Sequence, residues 1–105
     1  MSTNMEVEND LDFNLRQAIL SGRIDRVQEA LENGSNINAE NRDSSGWTPL
    51  HLAAITECEG IVRYLISHGA NVNATDNMGR SVLYCAQKKS TPEIVAILED
   101  AGAVL

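Results

Sequence analysis

The sequence predicts an all-α fold, a short solenoid of three helix-turn-helix units joined by β-hairpin-like loops. Two observations lead there. The stretch "GWTPLHLAA" at Gly46–Ala54 is answered 33 positions later by "GRSVLYCAQ". Each copy is followed by a second apolar stretch that closes on Gly-Ala, at Gly69–Ala70 and Gly102–Ala103. A period of roughly 20 to 50 residues marks units that cannot bury their apolar faces alone and must stack on neighbours.

The period holds residue by residue. Gly46, Leu50, Ala53, Ile61, Val62, Leu65, Gly69 and Ala70 recur at Gly79, Leu83, Ala86, Ile94, Val95, Leu98, Gly102 and Ala103. Backward, with an offset of 35, Leu50, Ala53, Val62, Gly69, Asn71, Asn73 and Ala74 fall on Leu15, Ala18, Val27, Gly34, Asn36, Asn38 and Ala39. The two extra residues belong to "ENRDSS", between Ala39 and Gly46.

In chain order, the first unit carries helices near 12–21 and 25–32, separated by Gly22. A loop near 36–46 follows, rich in the Asn, Asp, Ser and Gly that favour turns over helix. Thr48 then supplies a side-chain acceptor and Pro49 a first helical residue whose missing N–H is not needed, so a helix near 49–56 starts there. Ile61, Val62, Leu65 and Ile66 lie on one face of a helix near 60–67, which Gly69 ends in the left-handed conformation. A loop near 71–79 leads to helices near 82–88 and 92–99, the last opened by Thr91 and Pro92.

Length and composition set the outer limits. A chain of 105 residues with 43% apolar and 22% charged side chains suits one domain. Residues 1–10 read as a flexible acidic tail with little to bury, and 11–105 as the repeat domain, with units near 11–42, 43–75 and 76–105. Cys58 and Cys85 lack clustered Cys or His partners and read as reduced thiols. Neither a secretory leader nor a membrane span is visible. The expected location is cytoplasmic or nuclear, and the expected state a monomer. Net charge is −7, of which −3 falls on residues 13 onward. That balance argues against nucleic acid as a partner, since phosphate binding needs a basic footprint.

"DSSGWTPLHLAA" followed by "IVRYLISHGANVNA" resembles an ankyrin repeat, and the likeness covers residues 11 to 105. The resemblance implies an ankyrin repeat solenoid whose loop tips and first helices line a concave surface for another protein. It also implies that His51 ties its loop to a neighbour by hydrogen bonds, which makes it a structural residue. Gln17, Gln87 and Glu99 stand at positions that are apolar in the middle unit, as expected of capping outer units with polar flanks. Two departures suggest strain. The family's inter-helix Gly is Gly22 in the first unit but Glu57 and Ser90 in the others, and a left-handed residue with a Cβ costs roughly 1 to 2 kcal/mol. Gly60 softens the fourth helix by roughly 1 kcal/mol relative to Ala.

No catalytic, metal or cofactor residues are read, because no nucleophile, phosphate-loop or metal-helix pattern occurs. The expected function is a non-catalytic interaction module: adaptor, inhibitor or complex subunit. Its partner-binding residues are placed at first-helix ends (Leu20, Ser21, Ile55, Thr56, Lys88 and Lys89) and at loop tips (Arg42, Ser44, Ser45, Trp47, Asn77, Met78 and Arg80). This set has four bases and no acid. Asp43 and Asp76 are expected to hold the turns beside it. Trp47 has two compatible readings, packing over the neighbouring loop and anchoring a partner. The partner implied is a protein segment carrying Asp or Glu near an apolar anchor. The competing reading is a substrate of a modifying enzyme. Resemblance to ankyrin repeats that are hydroxylated on the hairpin Asn makes Asn73 the acceptor.

Overall fold

The structure, a computed structural model, describes residues 10–41 and 45–105. Arg42, Asp43, Ser44 and the tail through Asn9 lie outside them. The described residues form six helices: α1 (Asp10–Leu20), α2 (Ile24–Glu32), α3 (Pro49–Ile55), α4 (Glu59–Ser67), α5 (Val82–Lys89) and α6 (Pro92–Asp100). They pair as α1/α2, α3/α4 and α5/α6, as the repeat predicts. First helices stack as α1–α3–α5, with the second helices packed alongside. Every boundary falls within two residues of its expected place.

The starts follow from local chemistry. The Thr48 hydroxyl accepts from the His51 amide while His51 Nδ1 accepts from the Thr48 amide, so two otherwise unpaired N–H groups at the start of α3 satisfy each other. Ser81 and Thr91 repeat the first half of the device, accepting from Tyr84 and Ile94 amides at 3.0 and 3.2 Å. Gly34, Gly69 and Gly102 close the second helices at φ 105°, 97° and 95°.

One continuous core threads the stack. Leu15, Leu50 and Leu83 occupy equivalent places, as do Ala18, Ala53 and Ala86, whose small side chains let the helices approach closely. Val27, Ile61, Val62, Leu65, Ile94 and Leu98 supply the matching layer from the second helices, all buried. Full burial of such a side chain stabilises by about 1.5–3 kcal/mol.

The two suspected strain points behave differently. Glu57 has φ 62° and is the non-glycine residue with positive φ among the described residues, equivalent to Gly22 at 69°. Ser90 was expected to share this conformation and does not, adopting φ −123° and ψ −171°. The cause is Pro92. It forces the residue before it, Thr91, into extended backbone, and α5 runs one residue further than α3 to meet that turn.

A ladder of asparagines runs along the loops. Asn38 Oδ1 accepts from the Asn71 amide at 2.8 Å, and the equivalent Asn73 Oδ1 accepts from Val104 at 2.9 Å. Within each loop, Asn36 and Asn71 side chains accept from the amides two residues on. The first unit is closed by Asp12, which accepts from the Asn36 amide.

Candidate functional site

The loop before α5 turns around one buried carboxylate. Asp76 has a fully buried side chain. Its Oδ1 accepts from the Met78 and Arg80 amides, each at 2.9 Å. Its Oδ2 accepts from Arg80 Nε at 2.9 Å and from Trp47 Nε1 of the preceding loop at 3.1 Å. Burial alone would raise this carboxyl. The backbone amides of Arg80 and Met78, then the Arg80 guanidinium and the Trp47 indole, outweigh it and hold the group below the usual aspartate value.

The neighbouring loop is tied in at two further points. The Asn77 amide donates to the Ser45 carbonyl at 2.9 Å. His51, fully buried, donates Nε2–H to the Arg80 carbonyl at 3.1 Å while its Nδ1 faces Thr48 Oγ1 at 2.9 Å. Burial pushes the imidazole below its ordinary value, with the Arg80 carbonyl and Asp76 opposing. Gly46 makes the approach of the two tips feasible. It sits at φ 69°, and a Cβ there would lie 2.8 Å from the Asn77 nitrogen and closer still to the Asn77 side chain.

Ligand atoms of His51, Asp76 and Cys85 fall within 4.8 Å of one another. Both His51 nitrogens already have partners, and the Asp76 oxygens take four donors. His51 and Asp76 therefore have no lone pair left for a cation without dismantling the turn. Cys85 is buried, and burial raises its thiol. Cys58 is half-buried at the residue before α4.

This geometry redistributes the expected site. Leu20 is 55% exposed and Met78 74% exposed, Ile55 is half-buried, and Lys88 and Lys89 are exposed. These form the open part of the surface. Other residues are partly committed inward. The Ser21 and Thr56 hydroxyls donate to the Gln17 and Leu52 carbonyls, each at 2.8 Å. Ser45 Oγ accepts from the Trp47 amide, and Trp47 is half-buried against Asp76. Arg80, one of the four bases counted from the sequence, is paired with Asp76. Among the described residues the excess positive charge of the surface therefore falls to Lys88 and Lys89. Arg42 and Ser44 lie outside the described residues. Asn73 uses its amide for the ladder, accepting from Val104 and donating to the Gly102 carbonyl at 3.4 Å.

Sequence reasoning missed Tyr84. It takes the place of His51 in the third unit, is 40% exposed, and carries the Lys88 ammonium 5.4 Å from its ring centroid. The signal was available in the alignment of repeats, where a buried tie to the next loop becomes an aromatic residue.

With the geometry in hand, comparison with known proteins is decisive on family. The family profile described as "Ankyrin repeats (3 copies)" matches residues 15–104. The chain belongs to the ankyrin repeat family. It is 43% identical over 65 residues to the human protein phosphatase 1 regulatory subunit 27, covering 62% of this chain and 41% of that one. It is 35% identical over 91 residues to the mouse RelA-associated inhibitor, covering 87% of this chain and 11% of that one. It is 45% identical over 60 residues to the mouse 2-5A-dependent ribonuclease, covering 57% of this chain and 8% of that one. The chain thus spans less than half the length of these relatives. Among the described residues no helix is long and apolar enough to cross a membrane.

Proposed function

We propose that this ankyrin repeat chain is a non-catalytic interaction module that binds a protein segment along its loop tips and first-helix ends. The observation that carries the reading is the exposure of Leu20, Met78 and Tyr84, with Lys88 over the Tyr84 ring and Lys89 next in the chain, on helices and loops tied together by the Asp76 clasp. Charged groups steer encounter and apolar anchors supply buried area, so the partner segment carries Asp or Glu next to an aliphatic or aromatic residue. The names of two relatives, a phosphatase regulatory subunit and a RelA-associated inhibitor, describe proteins that act through another protein, which supports an adaptor, inhibitor or subunit role.

The test is binding of acidic peptides with one apolar anchor, against counterparts with Asn and Gln, at low and high salt. Lys88→Glu with Lys89→Glu slows association and flattens its salt dependence. Trp47→Ala weakens binding by about 2 kcal/mol or more, as truncated hot spots do, whereas Trp47→Phe separates the loop hydrogen bond from the aromatic contact. Glu93→Lys with Glu99→Lys, on α6, is the control. If that control abolishes binding and the lysine and tryptophan variants bind like wild type, the interface is the second-helix layer and this reading is wrong.

A further inference from the structure

Both prolines of the chain follow a threonine, at Thr48–Pro49 and Thr91–Pro92. A threonine with proline directly after it is the acceptor pattern of proline-directed protein kinases, so the sequence offers two candidates, and the fold separates them. Thr48 is 3% exposed, and its hydroxyl is held in the reciprocal cap with His51 at the start of α3. Thr91 is half-buried at the start of α6. Its Oγ1 accepts from the Ile94 amide, and its hydroxyl proton goes to no acceptor among the described residues. The adjacent Ser90 is no rival, since its Oγ is buried. The backbone also suits transfer. Ser90 (φ −123°, ψ −171°) and Thr91 (φ −92°, ψ 158°) are both extended. Among the described residues no amide from Thr91 to Glu93 donates to the rest of the chain, and Thr91 is held by the bonds it accepts from the Ile94 and Val95 amides. Lys88 and Lys89, both exposed, stand three and two residues before it in the last turn of α5.

We propose that Thr91 is a phosphorylation site for a proline-directed protein kinase, and that its phosphate cancels the positive charge of Lys88 and Lys89. In the transfer, Oγ1 attacks the γ-phosphorus of a nucleoside triphosphate held by the kinase. The new O–P bond forms as the bond to the β,γ-bridging oxygen breaks, the nucleoside diphosphate leaves, and the hydroxyl proton passes to the kinase's catalytic carboxylate. The product suits its place. A phosphate at a helix start meets unpaired amides and the positive end of the helix dipole, so α6 is kept and not melted. Glu93, exposed in the first turn, opposes it from a solvated position. At neutral pH the phosphate carries about −1.5 to −2, which matches the two lysines just before it. The charge consequence rests on the reading of Lys88 and Lys89 as steering groups for an acidic partner, whereas the acceptor assignment does not.

The full chain, incubated with a purified proline-directed kinase and magnesium ATP, should gain one phosphoryl group, placed on Thr91 by fragment mass spectrometry. Thr91→Ser should keep the modification, while Thr91→Ala and Pro92→Ala should lose it. Pro92 stands at the first helical position, where alanine is tolerated, and circular dichroism checks that helix content is retained. Phosphate on Thr48 or Ser90 of the folded chain, none on Thr91, or equal labelling of Pro92→Ala would overturn the assignment. Phosphorylated and unmodified chains are then compared for association with acidic peptides carrying one apolar anchor, at low and high salt. Phosphorylation should slow association about as much as Lys88→Gln with Lys89→Gln, which removes the same charge, and the difference should vanish at high salt. A phosphorylated chain that associates like the unmodified one, while the lysine variant is slowed, would overturn the charge consequence. If the lysine variant is also unaffected, the steering reading fails and the charge consequence with it, while the mass spectrum still decides the acceptor.

Discussion

The junction between the second and third repeats differs in kind from that between the first and second. The former is locked by polar contacts: His51 to the Arg80 carbonyl, Trp47 to Asp76, and the Ser45 carbonyl to the Asn77 amide. At the latter, the places of Trp47, Thr48 and His51 are taken by Asp12, exposed Phe13 and Arg16. What the described residues show there is apolar packing of α1 on α3, the Asn38–Asn71 rung, and the Cys58 thiol 4.0 Å from the Ile19 carbonyl. Among the described residues, directional bonds centred on buried His51 and Asp76 mark one seam, and apolar packing with the Asn38–Asn71 rung marks the other. Removing one partner of a buried hydrogen bond leaves the other with its full desolvation penalty, whereas the cost of trimming apolar packing depends on how far the site can collapse.

Breaking the polar seam should have the largest effect. Asp76→Ala leaves the Trp47 indole and two amides without their acceptor, and should cost about 3–5 kcal/mol in urea denaturation. A loss below about 1 kcal/mol would show that the clasp contributes little and that the contrast between seams is superficial. His51→Gln should cost about 2 kcal/mol and carries a pH signature. The folded imidazole titrates below the ordinary value of 6.5, so between the two values the unfolded chain binds more protons. Stability is therefore full above pH 6.5 and falls as pH drops through and below it. The Asp76 contribution is lost only below its ordinary value of 3.8. His51→Gln should flatten the decline between neutrality and the acid limb, and a slope unchanged by the substitution would remove His51 as its source.

Smaller changes address the apolar seam. Asn38→Ala should cost about 1 kcal/mol and raise amide exchange in α1 and α2 ahead of α5 and α6. A uniform rise across all six helices would mean that the seams do not differ in local stability. Gly60→Ala should stabilise by up to about 1 kcal/mol. The added Cβ meets nothing nearer than Ile24 Cδ1 at 4.0 Å, so it gains helix propensity and a contact across the first seam without a clash. Absence of any gain in melting temperature would place the weakness of that seam elsewhere.

How much of this was legible depends on distance along the chain. Helix starts at Thr48 and Thr91, stops at Gly69, and the strain at Glu57 are written within a few residues of where they act. The starts and the stop could be read from those residues, and the strain at Glu57 from the resemblance to the family. Ser90 escaped because the family position outweighed the Pro92 two residues on. The pairing of Arg80 with Asp76 escaped for a different reason. Asp76 was expected to hold its turn, but its capacity for four donors, one from Trp47 across 29 residues, is a property of the stacked state. The charge of the surface was accordingly overcounted.

The asparagine rungs have a consequence for how such a chain lengthens. Asn38 receives the amide of residue 71, and Asn73 that of residue 104, at equivalent places in successive units. The donor is main chain, so almost any incoming side chain satisfies the bond. The acceptor travels inside the unit. A duplicated segment inserted between two rungs would inherit its docking bond on both sides, with no compensating mutation required. Growth by copying is thereby separated from the surface residues that choose a partner, and each is free to change at its own rate.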